Sequence, residues 1–221
     1  MITVHHLEDS RSQRVLWLLE ELAVPYEVKR YDRDPKTKLA PETLYDVHPL
    51  GKSPALTTGD GVFAETGAIF EYILETHDSK HMLHGVQKSE QRRALTYWLH
   101  YAEGSAMPLL LMKLVFQSIP ERAPSLAKGL VRRVLSPAEV NFVNPRLAEH
   151  AVYWDNALKE TGWFAGSAFS AADIMMSFPV EAAKSRINLT HYRNVMTWLE
   201  RCQSRPAYAA ALEKGGPYAY A

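Results

Sequence analysis

The chain has 221 residues, 47% of them hydrophobic and 23% charged, which is the composition of a folded protein and excludes extended disorder. Its 25 lysines and arginines are balanced by 25 aspartates and glutamates, so the general attraction to polyanions that nonspecific nucleic-acid binding needs is missing. A chain of this length buries roughly 70% of its unfolded surface, enough for one large domain or two small ones without disulfides or metals.

Residues 2–7 read as a short strand, and residue 10 opens a helix with Val15, Leu16, Leu18, Leu19 and Leu22 on one face. Ala23-Val24-Pro25 ends that helix, and residues 26–31 form a second strand. Strand, helix and strand in this order make a βαβ unit with parallel strands. A short helical piece follows near residues 41–47. Two apolar runs, 54–57 and 62–64, flank Thr58-Gly59-Asp60-Gly61, and Asp-Gly between such runs is a strong hairpin signal. Glu65 then begins a helix carrying Ile69, Phe70, Ile73 and Leu74 inward, and strand signals cease near Thr76. Residues 77–87 read as a polar linker. Ser89 and Glu90 start a long helix through Trp98, Tyr101 and Met107, and helical patterns recur over 138–160, 171–184 and 192–203. The expected architecture is an α/β domain over residues 1–80, of the form βαβ-ββα, followed by an all-helical domain over residues 87–221.

Three segments carry candidate chemistry. In His48-Pro49-Leu50-Gly51-Lys52-Ser53-Pro54 the proline must begin or edge its strand because it cannot donate to a ladder. A cis Ser53–Pro54 bond would turn the Ser53 backbone outward toward an extended peptide, whereas frequency alone favours trans. Glu65-Thr66 lies at a helix start, where free N–H groups seat a carboxylate and Glu65 could receive an ammonium; a plain N-terminal cap is the competing reading. Ser10-Arg11-Ser12 occupies the turn from first strand to first helix, beyond the carboxyl end of the strand, where open α/β sheets bind ligands. A hydrogen bond to a thiolate there contributes about 1.5–3 kcal/mol and the helix dipole about 0.3–1 kcal/mol, together lowering a thiol pKa from about 8.5 to about 7.

In their order and spacing these segments resemble the cytosolic glutathione transferases. Residues 10–19 resemble the serine-bearing first turn and helix, residues 48–56 the cis-proline loop, Glu65-Thr66 the Glu-Ser pair that holds the γ-glutamyl group, and residues 169–174 the capping-box motif of the helical domain. The opening is most similar to a serine-type bacterial and fungal branch. The resemblance implies a thioredoxin-like first domain and an all-α second one. It implies glutathione as co-substrate, with no metal and no prosthetic group. Catalysis falls to one of Ser10, Arg11 and Ser12. Lys52, Ser53, Pro54, Glu65 and Thr66 are the implied glutathione contacts, although Gly51 stands where several relatives carry His or Lys. The implied reaction is attack of the thiolate on an electrophile, or reduction of a hydroperoxide, in a homodimer; the alternative is a non-catalytic glutathione- or apolar-ligand-binding protein of the same fold. Tyr97, Tyr101, Gly104, Met107 and Leu111 recur at helical spacing and are expected to wall a pocket for a small apolar electrophile, although such a stripe also suits a core. Glu103, an acid among these neighbours, is assigned to a subunit interface.

Other features are read as structural. Ser170 and Asp173 form a capping box. His5 and His6 point to opposite faces of a strand and cannot share a metal. His77, His81 and His84 are taken as solvated linker histidines. Cys202, the only cysteine, excludes an intrachain disulfide and is read as a buried bystander. Residues 1–6 lack a signal-peptide pattern, and the greasiest run, 109–116, is broken by Lys113 and too short to span a bilayer, so a cytoplasmic protein with no membrane partner is expected.

Overall fold

A computed structural model describes residues 1–86 and 88–221. Strands β1 (Ile2–Leu7), β2 (Tyr26–Tyr31), β3 (Ala55–Thr58) and β4 (Gly61–Ala64) form one sheet in the order β2-β1-β3-β4. β1 runs parallel to β2 across helix α1 (Gln13–Glu21), while β3 and β4 are antiparallel additions joined by the Asp60-Gly61 turn. Helix α2 (Thr66–His77) completes the thioredoxin-like unit, with Ile69, Phe70, Ile73 and Leu74 fully buried as the periodicity requires.

Helices α3 (Glu90–Tyr101), α4 (Met107–Arg122), α5 (Lys128–Ala138), α6 (Asn144–Leu158), α7 (Ala171–Lys184), α8 (Arg193–Gln203) and α9 (Pro206–Gly215) make the second domain. Two of these, α5 and α9, lie outside the helical segments expected from the sequence. α5 carries an apolar stripe, Leu130, Val131, Val134 and Leu135, but buries none of its residues and has Pro137 in its last turn. Single π-turns, Ala102–Ala106 and Glu139–Val143, join α3 to α4 and α5 to α6 without breaking the helical path.

The two domains share one hydrophobic cluster, which runs from Val4 and the buried face of α1 to Trp154, Trp198 and Tyr208. Trp17 of α1 packs edge-on against Tyr208, with ring centroids 5.1 Å apart, and Arg205 forks onto Glu21 at 2.5 and 2.8 Å. α1 is therefore a shared wall rather than a surface helix. In the connecting segment His84 is buried and bonded to Asp78 at 2.6 Å, and His81 contacts it at 2.9 Å. His84 is thus not the solvated histidine expected, because Asp78 also accepts the N–H groups of Met82, Leu83 and His84 and folds the segment around itself.

The capping box is present at α7. Ser170 accepts from Ala172 N–H at 3.3 Å, and buried Asp173 accepts from Ser170 N–H, Phe164 N–H and the Trp198 indole at 2.9, 3.0 and 2.8 Å. Burial holds the Asp173 carboxyl up at about 6 in spite of these donors. Ser170→Ala should cost about 1 kcal/mol. Asp173→Ala strands three buried donors and should cost upwards of about 3 kcal/mol; urea unfolding followed by far-ultraviolet circular dichroism separates the two.

Candidate functional site

The site begins where β1 ends. Asp9 turns the chain with φ 47°, a left-handed conformation that Asp tolerates better than most residues, and Ser10 to Ser12 then lead into α1. Adjacent side chains part here. Ser12 is fully buried and bonds His6 Nδ1 at 2.8 Å, whereas Ser10 lies above it, its hydroxyl 2.7 Å from that of Ser12. Ser12 lines neither of the two clefts described below. Burial and the charge of Arg30 bring His6 down to about 4, so it is neutral at physiological pH.

The Ser53–Pro54 bond is cis. The Ser53 hydroxyl donates to His5 carbonyl oxygen at 2.8 Å and accepts from Leu7 N–H at 3.1 Å, tying the loop to β1. Its own N–H and carbonyl have no partner among the described residues and remain free for an extended ligand. Gly51, with φ 55°, has no room for a side chain: a Cβ would sit 2.7 Å from the Tyr45 ring. Glu65 is held at φ 66° just before α2, its carboxylate exposed and unpaired among the described residues. Such strain in a non-glycine residue costs on the order of 1–3 kcal/mol and concentrates at binding sites.

Two clefts meet over this surface. The first, of about 270 Å³, is lined by Arg11, His48, Lys52, Ser53, Pro54, Glu65, Thr66 and Glu103. The second, of about 640 Å³, lies against the helical domain and includes Ser10, Arg11, Lys52, Ser53, Met107, Leu111, Leu114, Phe178 and Tyr220. Arg11, Lys52 and Ser53 belong to both and mark the junction. Of the sequence-derived pocket wall, Met107 and Leu111 stand in the second cleft. Tyr97, Tyr101 and Gly104 do not. Gly104 is exposed with nothing near its α-carbon, and the two tyrosines face α6, where Tyr97 and Tyr153 hydroxyls bond at 2.9 Å and Trp154 donates to Tyr101 at 2.9 Å. The π-turn explains the split, because it adds a residue between Tyr101 and Met107 and rotates the two halves of the stripe apart.

The same π-turn aims Glu103 across the domain boundary. Its carboxylate lies 3.0 Å from Arg11 Nε and also pairs with Arg14, a side chain 1% exposed that donates to Met175 carbonyl oxygen at 2.7 Å. Burial pushes the Glu103 carboxyl up, but the two guanidinium charges outweigh it and hold the group below its ordinary value. Glu103 therefore lines the site and ties the two domains together within one chain. Phe178 and Tyr220 escaped the sequence reading, and His48 and Glu103 were named there without a role in the site; the signal for Tyr220 was the aromatic tail Tyr218-Ala219-Tyr220 after two glycines.

That tail is strapped down. Ala219 N–H donates to Asp9 at 2.7 Å, Tyr218 donates to Glu181 at 2.7 Å, and Tyr220 packs against Phe178. Glu181 also receives Tyr208 at 2.7 Å, yet burial raises its carboxyl to about 7.

Comparison with known proteins agrees with this geometry. Residues 1–75 match the model of the glutathione S-transferase N-terminal domain, and residues 133–215 that of the glutathione S-transferase C-terminal domain. Glutathione S-transferase 3 of Schizosaccharomyces pombe is 33% identical over 97% of this chain and 88% of its own length. Glutathione S-transferase 1 of Saccharomyces cerevisiae is 32% identical over 97% and 95%. A crystal structure of a glutathione S-transferase from Actinobacillus pleuropneumoniae superposes with a TM-score of 0.85 at 32% identity, covering 100% of this chain and 95% of that one. The chain belongs to the glutathione S-transferase family.

Two consequences are open to measurement. Glu103→Ala leaves Arg14 buried without its counter-charge and should cost about 3 kcal/mol, read as a lowered urea midpoint. Glu181 binds a proton in the folded state between its unfolded value of 4.5 and about 7, so stability should fall as pH rises through that interval. Glu181→Gln removes this dependence, and its stability advantage over the parent should grow from pH 5 to pH 8 in thermal melts.

Proposed function

We propose that this protein is a serine-type glutathione transferase that holds glutathione in the smaller cleft and delivers its thiolate to an electrophile in the larger one. The observation that carries the reading is the meeting of a polar, peptide-sized cleft with a larger cleft of apolar floor at Arg11, Lys52 and Ser53, directly beside Ser10. The γ-glutamyl carboxylate takes the N-terminal end of α2 with the Thr66 hydroxyl, and its ammonium takes Glu65. The cysteinyl unit pairs with the free Ser53 N–H and carbonyl, and the glycyl carboxylate takes Lys52. This pose brings the sulfur to the junction.

There the chain stabilises charge more than it performs chemistry. The Ser10 hydroxyl and the Arg11 N–H ahead of α1, unpaired among the described residues, face the sulfur, and Arg11 adds a guanidinium that Glu103 holds in place. The thiol proton passes to solvent at the cleft mouth. The thiolate then forms a carbon–sulfur bond as the electrophile's leaving group departs with its electron pair, or as its double bond takes up a proton. Bringing both reactants into one geometry supplies the larger part of the acceleration.

The hydrogen-bonded line His6–Ser12–Ser10 biases the direction in which Ser10 donates. With Nε2–H of His6 turned to the Gly215 carbonyl, Ser12 donates to His6 and the Ser10 proton divides between Ser12 and the sulfur. With the proton on Nδ1, His6 donates to Ser12, Ser12 to Ser10, and Ser10 outward to the sulfur. The Nδ1–H tautomer of neutral His6 thus commits the Ser10 proton to the sulfur, and Ser12 is a positioning residue.

Ser10→Ala should raise the bound thiol pKa from about 7 toward 8.5 and lower kcat/KM about ten- to a hundredfold at pH 6.5, with glutathione affinity kept. Thiolate absorbance near 240 nm and calorimetry are the readouts. Equal turnover in that variant would remove Ser10 from catalysis and favour a non-catalytic binding protein. Imidazole nitrogen NMR of the glutathione complex should find His6 protonated on Nδ1; the Nε2–H form would overturn the relay.

A further inference from the structure

The larger cleft is not the neutral, greasy cavity that a small apolar electrophile requires. Five cationic side chains line it, Arg11, Arg33, Lys38, Lys52 and Arg186, against the single carboxylate of Asp9. In a chain with no net charge this is a local excess. Glu103 offsets Arg11, and on the glutathione reading above the glycyl carboxylate offsets Lys52. Arg33, Lys38 and Arg186 have no carboxylate partner within 4.0 Å among the described residues.

What these groups do bond is neutral. Arg33 donates to the carbonyls of Glu8 and Lys38 at 3.0 and 3.1 Å, which fixes the guanidinium at the rim without cancelling its charge. Arg186 donates to Ala182 carbonyl oxygen at 3.0 Å and to the Tyr220 hydroxyl at 3.4 Å. A guanidinium edge is shaped for a two-oxygen anion. The floor beside it, Met107, Leu111 and Phe178, is apolar. Uncompensated charge at the wall of a cleft with apolar sides focuses its field inward.

We propose that the second substrate is an amphipathic anion: an electrophile whose apolar body lies on Met107, Leu111 and Phe178 and whose carboxylate, sulfonate or phosphate is bound by Arg186, with Arg33 and Lys38 drawing it in. This rests on the glutathione reading for the reaction but not for the binding. For an aryl chloride the step is balanced. The carbon–sulfur bond forms, the carbon–chlorine bond breaks, chloride leaves with the electron pair, and nothing is oxidised or reduced.

The test compares 4-chloro-3,5-dinitrobenzoate with its uncharged carboxamide, each rate divided by its uncatalysed reaction with glutathione. The corrected kcat/KM should favour the anion at least about tenfold at low salt. Arg186→Met, and separately Lys38→Gln, should move the anion-to-amide ratio toward one, as should about 0.5 M sodium chloride through screening. A second arm needs no glutathione: 8-anilinonaphthalene-1-sulfonate should bind at least about tenfold more tightly than neutral N-phenyl-1-naphthylamine, and Arg186→Met should abolish the difference. No preference for the anion in either arm overturns the inference, as does a ratio that Arg186→Met leaves unchanged. If Arg186→Met fails to fold, Lys38→Gln and the salt dependence of the parent decide. Absence of glutathione binding by calorimetry would instead remove the transferase reading, with the dye pair still deciding the charge preference.

Discussion

One carboxylate does more to define this molecule than any other polar group. Glu103 leaves the helical domain on a π-turn and meets two guanidinium groups at the start of α1, one buried and one facing the cleft. Arg14, charged at 1% exposure, depends on it, because a buried guanidinium costs several kcal/mol unless an anion and further acceptors surround it. Met175 carbonyl oxygen supplies the second acceptor, from α7. Three elements of two domains are thus fastened at a single point, and that point is the floor of the cleft junction. The shape of the site follows from where the domains are pinned.

The same economy extends to the serines. A hydroxyl beside a helix N-terminus is an ordinary cap, and by itself would say little about sulfur chemistry. Here the polarity of Ser10 depends on a buried neutral imidazole two hydrogen bonds away, and the neutrality of that imidazole depends on burial and on Arg30. An ionised His6 would donate from both nitrogens and lock the line outward at the cost of a buried charge. Keeping it neutral leaves one proton to choose between Gly215 and Ser12, and a ligand that accepts from Ser10 biases the choice.

What the sequence disclosed follows the range of the interactions involved. β1, β2, α7 and the Asp60-Gly61 hairpin were readable because strand alternation, capping and turn chemistry act over a few residues. Ser53, Pro54, Glu65 and Thr66 were readable as a set only through their order, since each alone has a bland alternative in strand edges and helix caps. Ser10 and Ser12 could not be told apart, because the left-handed turn at Asp9 decides which hydroxyl faces the cleft and which faces His6. The stripe from Tyr97 to Leu111 misled for a definite reason: a period of 3.6 cannot register a π-turn, and one added residue sends Tyr101 toward Trp154 and Met107 toward the cleft. Phe178, Arg186 and Tyr220 are gathered by tertiary packing across a long span of chain, which no local pattern encodes.

The C-terminal strap shows how stability and access are linked in this fold. Tyr218 is tied to Glu181, a carboxyl that burial raises to about 7, so at neutral pH the strap rests on a group close to changing its charge. Its neighbour Tyr220 forms the cleft wall against Phe178 and holds one edge of Arg186. A purely apolar strap would pack as well and cost less, since replacing buried polar groups by well-packed hydrophobic ones is often neutral or stabilising. The polar version does what an apolar one could not. It directs a tyrosine hydroxyl and a guanidinium to fixed positions beside the cleft. Specific polar anchoring, not greater burial, fixes where that charge stands along the cleft wall.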